Sequence, residues 1–121
     1  MATGQNEIIR NGDIVSVQLN YSDSANGEDG FAIVISADVL NDHLQTVIVC
    51  PLIDAGQVKQ SRIGATIIPK EVIGLEQDNI VFSLQIKTIA KSQIVKRISS
   101  IPNIYMSQIK ESLQAVLDIH Q

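Results

Sequence analysis

The feature of this chain that most restricts its fold is the abundance of side chains branched at Cβ. Its 121 residues include 20 Ile and 11 Val. Two heavy substituents on Cβ suit a pleated strand and lose rotamer freedom in a helix. The composition therefore predicts a fold built mainly from β-strands. A chain of this length is a common size for one compact domain, so we expect residues 1–121 to form a single domain with residues 1–8 flexible.

Short strands are predicted from alternating apolar residues and from apolar runs bounded by turn-forming residues. The predicted strands cover residues 13–20, 31–35, 46–53, 63–68 and 79–89, and a helical turn leading into a short strand is expected within 91–99. In the first strand Val15, Val17 and Leu19 alternate with Ile14 and polar residues. That period is typical of a strand buried on one face only.

Two helices are predicted beside these strands. Ser36 offers an N-cap for a short helix over 37–43, with Asp38 in its first turn. Pro102 suits the first position of a terminal helix, in which Ile109 and Leu113 belong to one apolar stripe. Short strands with one inserted helix and one amphipathic C-terminal helix predict a mainly β fold, a partly closed small barrel with its helices outside.

The charge balance disfavours nucleic acid as a partner. Lys and Arg total 9 against 13 Asp and Glu, which gives a formal net charge of −4. Binders of the phosphate backbone usually carry a clustered excess of positive charge. Aromatic residues make up only 3% of the chain, too few for a surface on which successive bases stack.

Other classes are disfavoured by what the sequence lacks. One Cys and two His offer no metal-ligand spacing, and no glycine-rich phosphate-binding pattern occurs, so we expect no metal and no cofactor. No apolar stretch approaches the roughly 18 residues that cross a bilayer, and the N-terminus lacks the apolar run of a signal peptide. We therefore expect a cytoplasmic protein that does not enter a membrane.

A set of short motifs occurs along the chain in a distinctive order. The motifs are Gly12-Asp13-Ile14-Val15, Ala32-Ile33-Val34-Ile35-Ser36-Ala37-Asp38 with Asn41, Val47-Ile48-Val49-Cys50-Pro51-Leu52, Gly74-Leu75 with Asp78, and Gln85-Ile86-Lys87-Thr88-Ile89 with Lys91-Ser92. Over residues 11–118 their order and spacing resemble the MazF/PemK toxin family of bacterial toxin–antitoxin modules, whose fold is related to that of the CcdB toxins. The resemblance implies an SH3-like barrel of five to seven strands, a homodimer and an antitoxin partner. In active members it also implies metal-independent cleavage of single-stranded mRNA.

The positions that would carry catalysis depart from the family pattern. Gly30 stands where the family has Arg, and Ile53 and Asp54 stand where it has Thr and Ser. Lys87 replaces the Arg of the family motif Gln-Ile-Arg-Thr, which keeps the charge but loses the planar fork that contacts phosphate through two hydrogen bonds. The loop before Gly30 contains acids such as Asp29 and no Lys or Arg. We therefore expect weak or no ribonuclease activity.

The resemblance also implies where a substrate or partner would bind. The predicted groove residues are Asp29, Gly30, Asp54, Lys59, Arg62, Gln85, Lys87 and Thr88. The candidates for catalysis are Asp54, Lys87 and His43, of which His43 titrates near neutral pH. Each has a plainer interpretation: Asp54 bonds the backbone of a turn, and His43 is a solvated residue at the end of a helix. Likewise Lys59 and Arg62 either meet a ligand or merely solubilise a loop.

Three functions remain open on the sequence alone. The first is a toxin-family protein that acts through partner binding at a dimer groove, where Lys91, Lys96 and Arg97 either receive an acidic antitoxin tail or form a solvated rim. The second is an active, divergent mRNA endoribonuclease that uses Lys87 with Asp54 or His43. The third is a CcdB-like inhibitor that acts on a protein target through the C-terminal helix.

Overall fold

A computed structural model of the protein describes residues 8–18, 30–57 and 64–119. Its strands are β1 (Asp13–Val17), β2 (Gly30–Val34), β3 (Thr46–Asp54), β4 (Ala65–Ile68), β5 (Asn79–Phe82), β6 (Lys87–Ala90) and β7 (Ile94–Ser100). Its helices are α1 (Asp38–His43), α2 (Lys70–Ile73) and α3 (Asn103–Val116). The predicted groove residues Asp29, Lys59 and Arg62 lie outside the described residues, and so do residues 1–7 of the segment predicted to be flexible.

The strands form one antiparallel sheet with β3 at its centre. The order is β4-β5-β3-β2-β1-β7, and β6 pairs with β3 as well. One edge of β3 pairs with β2, while its other edge pairs first with β6 and then, from Leu52 to Asp54, with β5. In the described chain the mainly β fold with a C-terminal helix is confirmed.

Strands β1, β2, β3, β6 and β7 close into a small barrel. A short 3-10 turn, Lys91–Gln93, carries the chain from β6 to β7, which confirms the helical turn and strand predicted within 91–99. Backbone hydrogen bonds hold this corner, because Gln18 N donates to Gln93 O at 2.9 Å and Lys91 N donates to Gln45 O at 2.8 Å.

Two buried clusters lie on opposite faces of the central strands. The barrel encloses the buried residues Ile9, Val15, Val17, Ala32, Val34, Val47, Val49, Ile89 and Ile94. A second cluster packs between the outer face of the sheet and helices α2 and α3, and comprises Ile14, Ile33, Cys50, Leu52, Ile68, Ile73, Val81, Ile101, Met106 and Ile109. Every residue of β1 is buried. The prediction that β1 is buried on one face only was therefore wrong, because helix packing covers its second face.

The strand predicted over 79–89 is two strands. A 3-10 turn, Ser83–Gln85, separates β5 from β6 and leaves Leu84 61% exposed. Val81 lies opposite Leu52, and Lys87 lies opposite Val49. The chain thus advances six residues while its partner strand advances three, and the extra residues form the turn that interrupts the strand.

The predicted cap of α1 is also different in the structure. Ala37, not Ser36, occupies the N-cap position. The Ser36 hydroxyl instead donates to Asn41 Oδ1 and accepts a hydrogen bond from Ile48 N at 3.1 Å. Ser36 therefore ties α1 to β3 and is unavailable to cap the helix.

Two features near prolines complete the fold. Helix α2 was not predicted, although Pro69 precedes it and Gly74 ends it in the left-handed conformation at φ 74°, which glycine adopts without a steric cost. Helix α3 begins one residue after the position expected, because Pro102 is its N-cap.

Candidate functional site

A cavity of about 590 Å³ opens where β2 begins and β3 ends. It is lined by Gly30, Phe31, Leu52, Ile53, Asp54, Gly74, Leu75, Glu76, Gln77 and Asn79. Phe31 lies opposite Leu52 in the ladder between β2 and β3, so Gly30 comes next to Ile53. Two of the departures from the family pattern, Gly30 and Ile53 with Asp54, therefore meet at one place. We call this space the acidic cavity, after its carboxylates Asp54 and Glu76.

Asp54 ends β3 with a local hydrogen bond. Its Oδ1 accepts from Gly56 N at 2.8 Å, which closes the kind of turn that Asp side chains commonly stabilise. The interpretation that Asp54 bonds the backbone of a turn therefore corresponds to a contact in the structure. Among the described residues, nothing bonds its second carboxylate oxygen.

Glu76 reaches the acidic cavity because the loop after α2 is fixed to the end of β3. Asp78 Oδ1 accepts from Lys70 N at 2.8 Å, and Asp78 O accepts from Ala55 N at 2.9 Å. The sequence analysis missed Glu76. Its only signal was its place just after Gly74, the residue at which the chain turns back towards the sheet.

The lining of the acidic cavity combines apolar walls with negative charge. Phe31, Leu52 and Leu75 supply apolar surface, and Asn79, 6% exposed, donates through Nδ2 to Gln77 O at 2.8 Å. No Lys, Arg or His occurs among the described lining residues. A site of this charge attracts a cationic or neutral group and repels phosphate.

The other predicted site residues that the structure describes lie outside the acidic cavity. Gln85, Lys87 and Thr88 are exposed, and none of them lines the acidic cavity. His43 lies at the end of α1, also outside that lining, with its Nδ1 2.8 Å from Val39 O. Because the carbonyl can only accept, Nδ1 carries the hydrogen. The structure therefore brings Asp54 and Gly30 together but does not place Lys87 or His43 with them.

The cationic segment of β7 and the preceding turn is partly engaged within the fold. Lys91 Nζ donates to Asn41 O. Arg97 Nε lies 3.1 Å from Oδ2 of the buried Asp13. Lys96 is exposed. Two of the three cationic residues that could bind an acidic antitoxin tail therefore already interact with other residues of the fold.

Other kinds of chemistry find little support in the described chain. Cys50 is fully buried, and burial raises the pKa of its thiol to about 11, so the thiolate needed for nucleophilic attack is scarce at neutral pH. Within residues 8–18, 30–57 and 64–119, no group of three His, Cys, Asp or Glu is placed to hold a metal ion. No helix in those ranges is long and apolar enough to span a membrane.

Comparison with known proteins identifies the relatives of this fold. Residues 10–117 match the family model described as PemK-like, MazF-like toxin of type II toxin-antitoxin system. Similar solved structures include MazE-MazF (Form-II) from Deinococcus radiodurans, with 13% identity, a TM-score of 0.77 and coverage of 95% of this chain and 100% of that chain.

Two structures from mycobacteria are also similar. An endoribonuclease from Mycobacterial species has 14% identity and a TM-score of 0.76, covering 95% of this chain and 96% of that one. An endoribonuclease in complex with its cognate antitoxin, from Mycobacterial species, has 16% identity and a TM-score of 0.74, covering 93% and 97%. At these identities the likeness establishes a shared fold.

Proposed function

The chain belongs to the PemK-like, MazF-like toxin family of type II toxin–antitoxin systems, and from this premise we propose that it acts by binding a protein partner at the acidic cavity, with weak or no ribonuclease activity. The observation that carries the proposal is the lining of that cavity. Asp54 and Glu76 place two carboxylates there, and the described lining residues include no cation.

Cleavage of RNA by its own 2′-hydroxyl sets requirements that this lining does not meet. The reaction needs a base, an acid for the departing 5′-oxygen, and donors for the charge that develops on phosphate. Asp54 and Glu76 offer carboxyl groups for proton transfer, but Gly30 and Ile53 offer no side-chain donor for the charge on phosphate. Loss of one such donor costs about 10²–10³ in rate, and loss of an acid or base about 10²–10⁴.

The proposed partner is an antitoxin whose segment at the acidic cavity carries basic side chains, and the proposed assembly is a homodimer. One structurally similar endoribonuclease was solved with its cognate antitoxin, which supports the same kind of partner here. An apolar groove of about 320 Å³ lies between α3 and the sheet. Its lining includes Ile86, Leu117 and Ile119, which are 37–50% exposed. Apolar surface of this kind supports association of two copies.

The nuclease part of the proposal is tested with purified protein and single-stranded RNA of mixed sequence in the presence of EDTA. An active endoribonuclease of the same fold serves as the positive control. We expect no cleavage above the level given by the Asp54→Ala variant. Robust metal-independent cutting that Asp54→Ala or Lys87→Ala abolishes would contradict the proposal and favour the divergent ribonuclease.

The binding part is tested by titration calorimetry with the product of the gene immediately upstream. Glu76→Lys reverses a charge inside the acidic cavity, and Glu71→Lys makes the same change on α2, outside the cavity lining. We expect Glu76→Lys to weaken binding and Glu71→Lys to leave it unchanged. Equal effects of the two variants, or no binding at all, would count against a partner at this cavity.

Expression in bacteria separates the remaining functions. Growth arrest with degraded mRNA, rescued by Lys87→Ala, indicates the divergent ribonuclease. Growth arrest with intact RNA indicates a CcdB-like inhibitor of a protein target. Unaffected growth, together with binding of the upstream product, is the result that our proposal expects.

A further inference from the structure

Among the described residues, nothing pairs with one edge of strand β4, and we propose that this edge binds an extended peptide segment with basic side chains by adding it to the sheet as an extra strand. β4 stands at the end of the strand order and pairs only with β5 in the described part of the chain. The proposal does not depend on the acidic cavity or on the level of ribonuclease activity.

The backbone groups on this edge have a definite direction. Ser83 N donates to Gly64 O at 2.8 Å, which fixes the hydrogen-bonded positions of the ladder. Hydrogen-bonded and non-hydrogen-bonded pairs alternate along an antiparallel ladder. The N–H and C=O groups of Thr66 therefore point towards β5, whereas those of Ala65 and Ile67 point away from it. No described residue pairs with these outward groups. Unpaired N–H and C=O groups along a strand edge form a template for another strand.

A groove of about 550 Å³ lies between this edge and α3, and we call it the β4 groove. It is lined by Ala65, Thr66, Ile67, Gln108, Glu111 and Ser112. The buried Thr66 points to the face covered by α3, while Ile67 points to the opposite face and is 60% exposed. Side chains alternate between the two faces of a sheet along a strand. Every second side chain of an added strand would therefore face α3, and the others would lie on the opposite face, beside Ile67.

The charge of the β4 groove selects the chemistry of those side chains. Among the described residues that line it, Glu111 alone is charged, and the whole chain carries a net charge of −4. A Lys or Arg opposite Thr66 would reach the exposed Glu111 carboxylate, whereas an acid would be repelled. An apolar side chain beside Ile67 would form a favourable cross-strand pair.

A second copy of this chain fits the β4 groove less well than a basic peptide. If β4 paired antiparallel with β4 of another copy, a two-fold axis perpendicular to the sheet would relate the two. Both α3 helices would then lie on the same face, and their Glu111 carboxylates would approach each other across the seam. Like charges facing each other oppose such pairing.

The proposal is tested with the peptide acetyl-Lys-Val-Lys-Val-Lys-Val-amide and the full-length, ¹⁵N-labelled protein. We expect chemical-shift changes centred on the amides of Ala65 and Ile67. With the peptide antiparallel to β4 and Lys facing α3, the Val residues lie opposite Ala65 and Ile67, so the Val nitrogens supply the hydrogen bonds. Methylation of the Val nitrogens should abolish the changes, and methylation of the Lys nitrogens should preserve them. Equal behaviour of the two methylated peptides would overturn the proposal.

Protein variants test the charge contribution separately. Glu111→Gln should weaken the affinity about two- to fivefold, the range expected for an exposed ion pair. Glu71→Gln makes the same charge change outside the β4 groove and should leave the affinity unchanged. Equal loss in both variants would show non-specific attraction and refute the site. Concentration-dependent shifts at Ala65 and Ile67 without peptide would identify a second copy as the occupant and likewise refute it.

Discussion

The ion pair between Asp13 and Arg97 gives a sharp test of how β1 and β7 are held together. The Asp13 side chain is 2% exposed, and its Oδ2 accepts from Arg97 Nε at 3.1 Å and from Arg10 N at 2.8 Å. Arg97→Ala leaves this carboxylate buried with one of the two donors. A buried charge that loses its partner destabilises a fold more than an exposed one does.

The size of the effect follows from the geometry of the pair. Two unit charges 3.1 Å apart attract by about 5 kcal/mol at an effective dielectric constant of 20 and by about 1 kcal/mol in bulk water. Arg97 is 39% exposed, so water screens part of the attraction, and Arg10 N still donates to Asp13. We therefore expect Arg97→Ala to lower the free energy of unfolding by about 1–3 kcal/mol. This loss corresponds to a fall in Tm of roughly 3–12 °C for a chain of this size.

The assay is urea unfolding at pH 7, with Lys96→Ala as the matched control. Lys96 is the neighbouring cation on β7, exposed and without an ion pair to Asp13, so its removal should cost less than about 0.5 kcal/mol. In an Asp13→Asn background, the cost of Arg97→Ala should shrink to a similar value. If Arg97→Ala costs as much in that background as in the native chain, the pair does not carry the stability assigned to it.

Three further predictions rest on other contacts. Burial raises the pKa of the Cys50 thiol to about 11, so we expect a thiol reagent at pH 8 to label the native protein far more slowly than the urea-unfolded chain; equal rates would contradict this. A hydrogen bond from Asn11 N lowers the pKa of Asp38 below its ordinary value of 3.8, so the ionised carboxylate stabilises the fold above that pH. Urea unfolding should show the full difference in the free energy of unfolding between the native chain and Asp38→Asn at pH 7. That difference should disappear as the pH falls through the lowered pKa; a difference independent of pH would be inconsistent with this contact. Ile109→Ala, at a fully buried site of α3, should cost about 2–5 kcal/mol, whereas Ile104→Ala, 65% exposed on the same helix, should cost less than about 0.5 kcal/mol; similar losses would mean that α3 packs differently.

Local patterns predicted the strands and the two longer helices but not how the elements cover each other. Alternation placed Val15 and Val17 on one face of β1, where the barrel core lies. Whether Ile14 on the other face meets water or protein depends on α3, far along the chain, and no local pattern carries that information. The break between β5 and β6 was missed for the same reason, since Ser83–Gln85 contains no Gly or Pro and the turn follows from pairing with β3.

Only part of the candidate site could be predicted from the sequence. Gly30 and Asp54 were assigned to one groove through the resemblance to the toxin family, and the ladder between β2 and β3 explains why they lie close together. Glu76 could not be assigned to it, because its position depends on hydrogen bonds between Asp78 and two backbone nitrogens. Lys87 follows a turn that the sequence did not reveal, so its distance from the acidic cavity was not predictable.

The central position of β3 has a consequence for how this fold tolerates change. Val47, Val49 and Cys50 are buried, and Val49 is paired with β2 on one edge and with β6 on the other, so nearly every replacement there disturbs a core. Ile53 and Asp54, at the far end of the same strand, are only half-buried and face the cavity. Residues at this end of β3 can therefore be substituted while the buried part of the strand is unchanged. The cavity can in this way acquire different side chains, and so a different chemistry, without a change of fold.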